Sequence, residues 1–193
     1  KRKMLVNDQI ESSSLWPLME ELVEKAWSEG QSIHAAVSFA SDEKLDWFGE
    51  GDRLVCDASE RAIRAGLTNP NLLLKLLGSG ASLYSFPGLH SKVLVIGFSA
   101  IVGSANLSQN SRLNLIEAAL VTEDPGTIGS CLDFIDTLVE DPRCKKLSTE
   151  IVQELQRIPV DQRGNETSIE SGEAGVDKAR QRIWLVRGES GTL

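Results

Sequence analysis

Apolar residues recur at helical spacing through Leu15, Leu18, Met19, Leu22, Val23, Ala26 and Trp27, which predicts an amphipathic helix. Ser14 before it is a suitable N-cap, and Pro17 fits the first turn. Glu20 and Glu21 suit the positive end of the helix dipole, and Gly30 ends the run. The period then drops to two. Ile33, Ala35, Val37 and Phe39 alternate along Ser32–Phe39, the pattern of a strand. After a loop rich in Asp, Glu and Gly, Arg53–Cys56 reads as a short strand, Ser59–Leu67 as a helix and Asn71–Leu77 as a second helix stopped by Gly78. Strand-like runs follow at Ser82–Phe86, Lys92–Ile96, Ala100–Gly103 and Asn114–Val121. Thr127–Val139 returns to helical spacing through Ile128, Cys131, Leu132, Ile135, Leu138 and Val139.

Helices alternating with short apolar strands predict an α/β fold, a mixed β-sheet flanked by helices. The character changes after about Pro142, and the chain divides into residues 1–145 as the main domain and 146–193 as an appendage. Leu147–Ile158 reads as one more helix, and residues 159–179 as a polar linker rich in Gly, Glu, Gln and Ser. Arg182–Arg187 reads as a strand-like or docking segment, an arm that packs elsewhere or the start of a further domain.

Composition narrows the class. The chain has 193 residues, 41% hydrophobic and 25% charged, as expected of a globular protein that needs no staples for its core. Three scattered cysteines, Cys56, Cys131 and Cys144, form no CxxC or Cys/His cluster and read as reduced structural thiols of a cytoplasmic protein. No apolar run approaches a membrane span. Lys1-Arg2-Lys3-Met4 is basic, but no long apolar run follows, so no signal peptide is expected. No metal or cofactor is expected.

The formal net charge of −8 argues at first against a nucleic-acid partner. Its distribution changes that picture. Residues 61–116 carry Arg61, Arg64, Lys75, Lys92 and Arg112 but no Asp or Glu. A linear stretch of this kind predicts a local positive surface for a phosphate-bearing ligand.

Candidate chemistry falls in the same stretch. His90 and Lys92 stand two apart at the start of a strand, so both project from one face. Gly103-Ser104-Ala105-Asn106 begins where the next strand ends, and Glu117 falls on the predicted strand after it. Adjacent strands would bring these groups to one sheet edge. Cleavage of a phosphodiester without a metal needs a nucleophile that can attack phosphorus and leave again, which neutral imidazole can do. Lys92 and the Asn106 amide could supply donors to the non-bridging oxygens. Glu117 could fix an imidazole tautomer, Gly103 allows backbone close to a phosphate, and the Ser104 hydroxyl can brace the site. Arg112 is a further candidate for contact with phosphate.

These residues resemble the phospholipase D superfamily, whose pattern is H-x-K-x4-D followed by G-S-x-N. The resemblance covers residues 82–122 directly, and the interval from Asn106 to Glu117 is similar to that of the superfamily's small single-motif bacterial nucleases. The family Asp would fall at position 97, which is Gly97 here, and the link from there to Gly103 is about one residue short. Gly97 suits a tight hairpin turn.

The resemblance implies a phospholipase D-like fold and a metal-independent phosphodiesterase with His90, Lys92, Ser104, Asn106 and Glu117 in the catalytic site. Lys92, Gly103, Ser104, Asn106 and Arg112 would meet the substrate, which is expected to be DNA or RNA. It also implies two histidines, one forming a phosphohistidine and one protonating the leaving group. The chain has two, His34 and His90. Either His34 is the second, or a second copy of His90 comes from a partner in a homodimer; His34 has no H-x-K neighbourhood, which favours the homodimer. The other readings are a catalytically silent nucleic-acid-binding or dimerisation module and a lipid phosphodiesterase. The tail suggests, by analogy alone, further domains or subunits of a restriction or defence type.

Overall fold

The computed structural model describes residues 15–161. The expectations for Ser14, for the linker beyond residue 161 and for residues 182–187 lie outside the described residues.

Helix α1 spans Leu15–Ser28 and buries Leu15, Trp16, Met19, Val23 and Ala26, the face its periodicity marks. Strands β1 (Ile33–Val37) and β2 (Arg53–Cys56) follow, then helices α2 (Glu60–Arg64) and α3 (Pro70–Gly78), and strand β3 (Ser82–Ser85). Ser59 caps α2 by accepting from the Ala62 N–H, and Asn69 caps α3 from the Asn71 N–H with Pro70 in the first turn. Strands β4 (Lys92–Ile96) and β5 (Ser99–Gly103) form a hairpin closed by Gly97 and Phe98. Gly97 has φ +56° and Phe98 is not left-handed, the pattern of a type II′ turn.

The chain then departs from the sequence reading. A short helix α4 (Gln109–Leu113) precedes strand β6, which is only Ala119–Thr122. Asn114 ends α4 instead of opening a strand. The reason is register: β5 ends at Gly103, whose partner is Ala119, so residues 114–118 have no ladder to join. Helix α5 (Pro125–Glu140) is capped by Asp124, strand β7 is Lys145–Lys146, and α6 is Thr149–Leu155.

Among the described residues the strands form one mixed sheet in the order β6-β5-β4-β1-β2-β3-β7. β1, β2 and β3 run parallel; β4 is antiparallel to β1, as are β5 to β4, β6 to β5 and β7 to β3. One core packs α1, α3, Leu147 and Val152 of α6 against Ile33, Ala35, Val37, Leu94 and Ile96. α5 covers the other face, where Ile135 meets Ala36 and Val55, and Cys131 meets Val95 and Ala100. The compact unit therefore continues past residue 145: β7 pairs with β3, and α6 packs on α3. No helix among the described residues is long and apolar enough to cross a membrane.

Candidate active site

Strand direction assembles the site. His90 and Lys92 open β4, Ser104 and Asn106 follow β5, Glu117 precedes β6, and Ser38 follows β1. β4 and β6 begin where β1 and β5 end, so all six positions lie at one end of four neighbouring strands. This is the end of the parallel strands at which α/β sheets place ligands.

Lys92 projects from the α1 side of the sheet, in phase with Leu94 and Ile96. Its Nζ donates to the Ser38 hydroxyl at 2.8 Å. Desolvation lowers the Lys92 pKa, and the nearby Glu117 carboxylate opposes that shift. Asn106 is oriented by the backbone: its Oδ1 accepts from the Phe39 N–H at 3.3 Å, which leaves the amide NH2 as the available donor. The neighbouring segments are tied together where Leu107 donates to the Phe39 carbonyl and Ser41 donates to the Leu107 carbonyl.

Glu117 is buried, yet it lies in the extended segment before β6 and not on a strand. Both its oxygens accept hydroxyl donors, Oε2 from Ser104 and Oε1 from Ser111. Within the chain it therefore braces Ser104; no hydrogen bond joins it to His90 among the described residues. The Ser104 hydroxyl has one proton, given to Glu117, and accepts from the Ala118 N–H at 3.0 Å. Ser104 thus holds the loop instead of donating outward.

His90 is exposed, on a loop held from beneath. Gly88 donates to Asp57 Oδ2 at 2.9 Å, Leu89 is buried, and the Ser91 hydroxyl donates to the Ala36 carbonyl at 3.0 Å. Anchors on both sides fix the backbone and leave the imidazole free to meet a ligand. Sequence reasoning missed Ser38, Asp57 and Ser111. Asp57, directly after a strand, was legible as an end-of-strand polar residue; the two serines carried no mark in the sequence.

Arg112 and Gly103, expected to meet the ligand, each have structural partners of their own. Arg112 lies in α4 and is committed to ion pairs with Glu20 and with Asp42, the latter at 3.2 Å. Its guanidinium also lies 5.3 Å from the centre of the Trp16 ring. A cation held by two carboxylates and stacked on an indole is a structural clamp, and Glu20 serves that clamp from beyond the first turn of α1. Gly103 has a reason of its own: a Cβ there would overlap the Ala118 carbonyl oxygen and lie 2.7 Å from the Ala119 Cβ. The close approach of β6 already requires glycine.

The positive charge of the acid-free stretch is partly neutralised in the fold. Arg64 pairs with Glu60, Arg112 with Glu20 and Asp42, and Lys75 donates to the carbonyls of Glu43 and Leu45. For Arg112 the acidic partners come from distant parts of the chain.

His34 is not part of the site. It pairs in register with Val95, and its side chain shares the α5 face with Ala36, opposite the Lys92 face. Its Nε2 lies 3.0 Å from the Ser32 hydroxyl, and its buried Nδ1 has no hydrogen-bond partner among the described residues. Burial and then Arg53 lower its pKa, against smaller opposing effects of Asp52 and Asp136. Gly97 is remote as well: five residues along β4 place it about 16 Å from Lys92 at ~3.3 Å per residue.

No protein-family model matches the sequence, and no curated protein matches it. Solved structures do resemble the fold. Nuc from Salmonella typhimurium, a phospholipase D family member, aligns with a TM-score of 0.51 at 16% identity over 68% of this chain and 91% of its own. Polyphosphate kinase from Porphyromonas gingivalis aligns with a TM-score of 0.51 at 12% identity over 75% of this chain and 25% of its own. At such identities the likeness is one of architecture: this chain has the phospholipase D-like α/β fold.

Proposed function

We propose that the chain is a metal-independent phosphodiesterase that cleaves DNA or RNA through a phosphohistidine on His90, with a second copy of the chain completing the site. The observation that carries this reading is the convergence of an exposed histidine, a lysine ammonium and an oriented Asn amide at one sheet end of this fold. Likeness to a phospholipase D family member supports the reaction class.

In the reaction, a neutral imidazole nitrogen of His90 attacks phosphorus as the bond to the leaving oxygen breaks. Lys92 and the Asn106 NH2 meet charge on the non-bridging oxygens. The leaving oxygen takes a proton from a second imidazolium. That group then removes a proton from water, which attacks phosphorus, breaks the N–P bond and frees His90. His34 faces away on the α5 side, so His90 of a second copy is the remaining source of the proton. A two-fold homodimer brings the two together.

The test is cleavage of DNA and RNA in EDTA by the wild type and His90→Ala, with the oligomeric state measured on the same samples. Chelator-resistant cleavage by a wild-type dimer, lost in His90→Ala, is expected. Chelator-sensitive cleavage would overturn the metal-independent reading, and binding without turnover would identify a silent module. Headgroup release from liposomes with no nicking of nucleic acid would point to lipid.

A further inference from the structure

α4 has only five residues, Gln109–Leu113, too few to be stable alone. It is held by three tethers. The Ser108 hydroxyl accepts from the Ser111 N–H at 3.2 Å, Arg112 is clamped by Glu20 and Asp42, and Ser111 is buried with its hydroxyl on Glu117. The other Glu117 oxygen holds Ser104, whose hydroxyl and backbone N–H bond the Ala118 N–H and carbonyl. Asn106 lies two residues farther along the same loop. A continuous path thus runs from α1 through Arg112, Ser111, Glu117 and Ser104 to the loop that presents the Asn106 amide.

We propose that Ser111 is a positioning residue of the site, acting through Glu117 to hold the Ser104–Asn106 loop in the geometry that receives the phosphate. Its single proton is spent on Glu117, so it makes no contact with substrate. Arg112 supplies the anchorage that keeps α4, and with it the Ser111 hydroxyl, in place. This role rests on the proposed phosphodiesterase activity, but its structural half can be read without turnover.

The experiment compares the full-length chain with Ser111→Ala and with Ser111→Cys, which keeps most of the volume but is a weak donor. Cleavage by Ser111→Ala is expected to fall about tenfold or more in kcat with KM changed less than about twofold, and Ser111→Cys to lose less. In a Glu117→Gln background, Ser111→Ala should add less than about a twofold further loss, because the path is already broken. Amide exchange at Ala118 should quicken by about tenfold or more in both single variants, with Ala35 on β1 unchanged. Wild-type kcat with unchanged Ala118 exchange, or a full additional loss in the Glu117→Gln background, would overturn the proposal. A wild type that cleaves no phosphodiester would overturn the proposed function alone; Ala118 exchange would then decide the role of Ser111. Should Ser111→Ala not fold, Ser111→Cys carries the same measurements.

Discussion

Asp52 and Glu117 are buried carboxylates at opposite ends of one sheet, and they take different donors. At the end away from the site, Asp52 accepts from the backbone N–H groups of Ile33 at 2.7 Å and Gly49 at 2.8 Å. At the site end, Glu117 accepts only hydroxyls, from Ser104 and Ser111. Backbone donors are present whatever the sequence and fix where two strands start. Hydroxyl donors are particular residues on particular loops, and they organise the loops beside His90, Lys92 and Asn106. The first carboxylate builds the sheet; the second builds the site on it.

The comparison breaks most sharply at the histidines. His90→Ala should reduce cleavage by at least about a thousandfold, whereas His34→Ala at the other end should retain most of it. Rates measured per folded molecule check this. Equal losses in both variants, from a monomer, would end the assignment of His34 to the structural end. Lys92→Ala should cost about a hundredfold to a thousandfold in kcat through the loss of charge facing the phosphate, with an unaltered urea midpoint.

Asp52→Ala is the mirror experiment. Two buried N–H groups would lose their acceptor, so about 2–4 kcal/mol of stability should be lost. Cleavage by the remaining folded fraction should stay near wild type; a selective loss of kcat would contradict the division between the two ends. Gly97→Asp sharpens the point. A side chain at φ +56° would also press on Ala26 and Gln31, so about 1–2 kcal/mol should be lost. An aspartate at a turn so far from Lys92 should give no gain in turnover.

The smallest expected effect is a pH dependence. Burial, and Arg53 beside it, hold the His34 pKa below its ordinary value. An unfolded histidine takes up its proton near about pH 6.5. Below that the unfolded state binds a proton that the folded state does not, so stability falls from about pH 6.5 down to the lowered folded value. Urea midpoints for His34→Gln should show a shallower acid limb than the wild type over that window, with no difference above about pH 7.5.

Much of this division was legible along the chain. The two-residue alternation placed β1, a short apolar run placed β4, and the spacing of His90 and Lys92 put their backbone at the head of a strand. Gly97 marked a hairpin, and the helical stripe of α1 found Leu15, Met19, Val23 and Ala26 of its buried face but also took in Trp27, which is exposed, and passed over Trp16, which is buried. These features are local: each depends on the backbone preferences and side-chain parity of near neighbours. The same local logic failed at Asn114–Ala118, because a strand also needs a partner, and Gly103 is the last residue of β5.

What depended on folding is the identity of each polar group's partner. Arg112 finds its carboxylates 70 and 92 residues away, so a cation in an acid-free segment became a clamp. Gly103 is glycine because β6 crosses it. Glu117 meets two hydroxyls, one of them on a helix that no periodicity announced. Hydrogen bonds and ion pairs act over a few ångströms in space and are indifferent to separation along the chain. The sequence could therefore present the groups of the site and the strands that carry them, while their hydrogen-bond partners emerged only when distant segments came together.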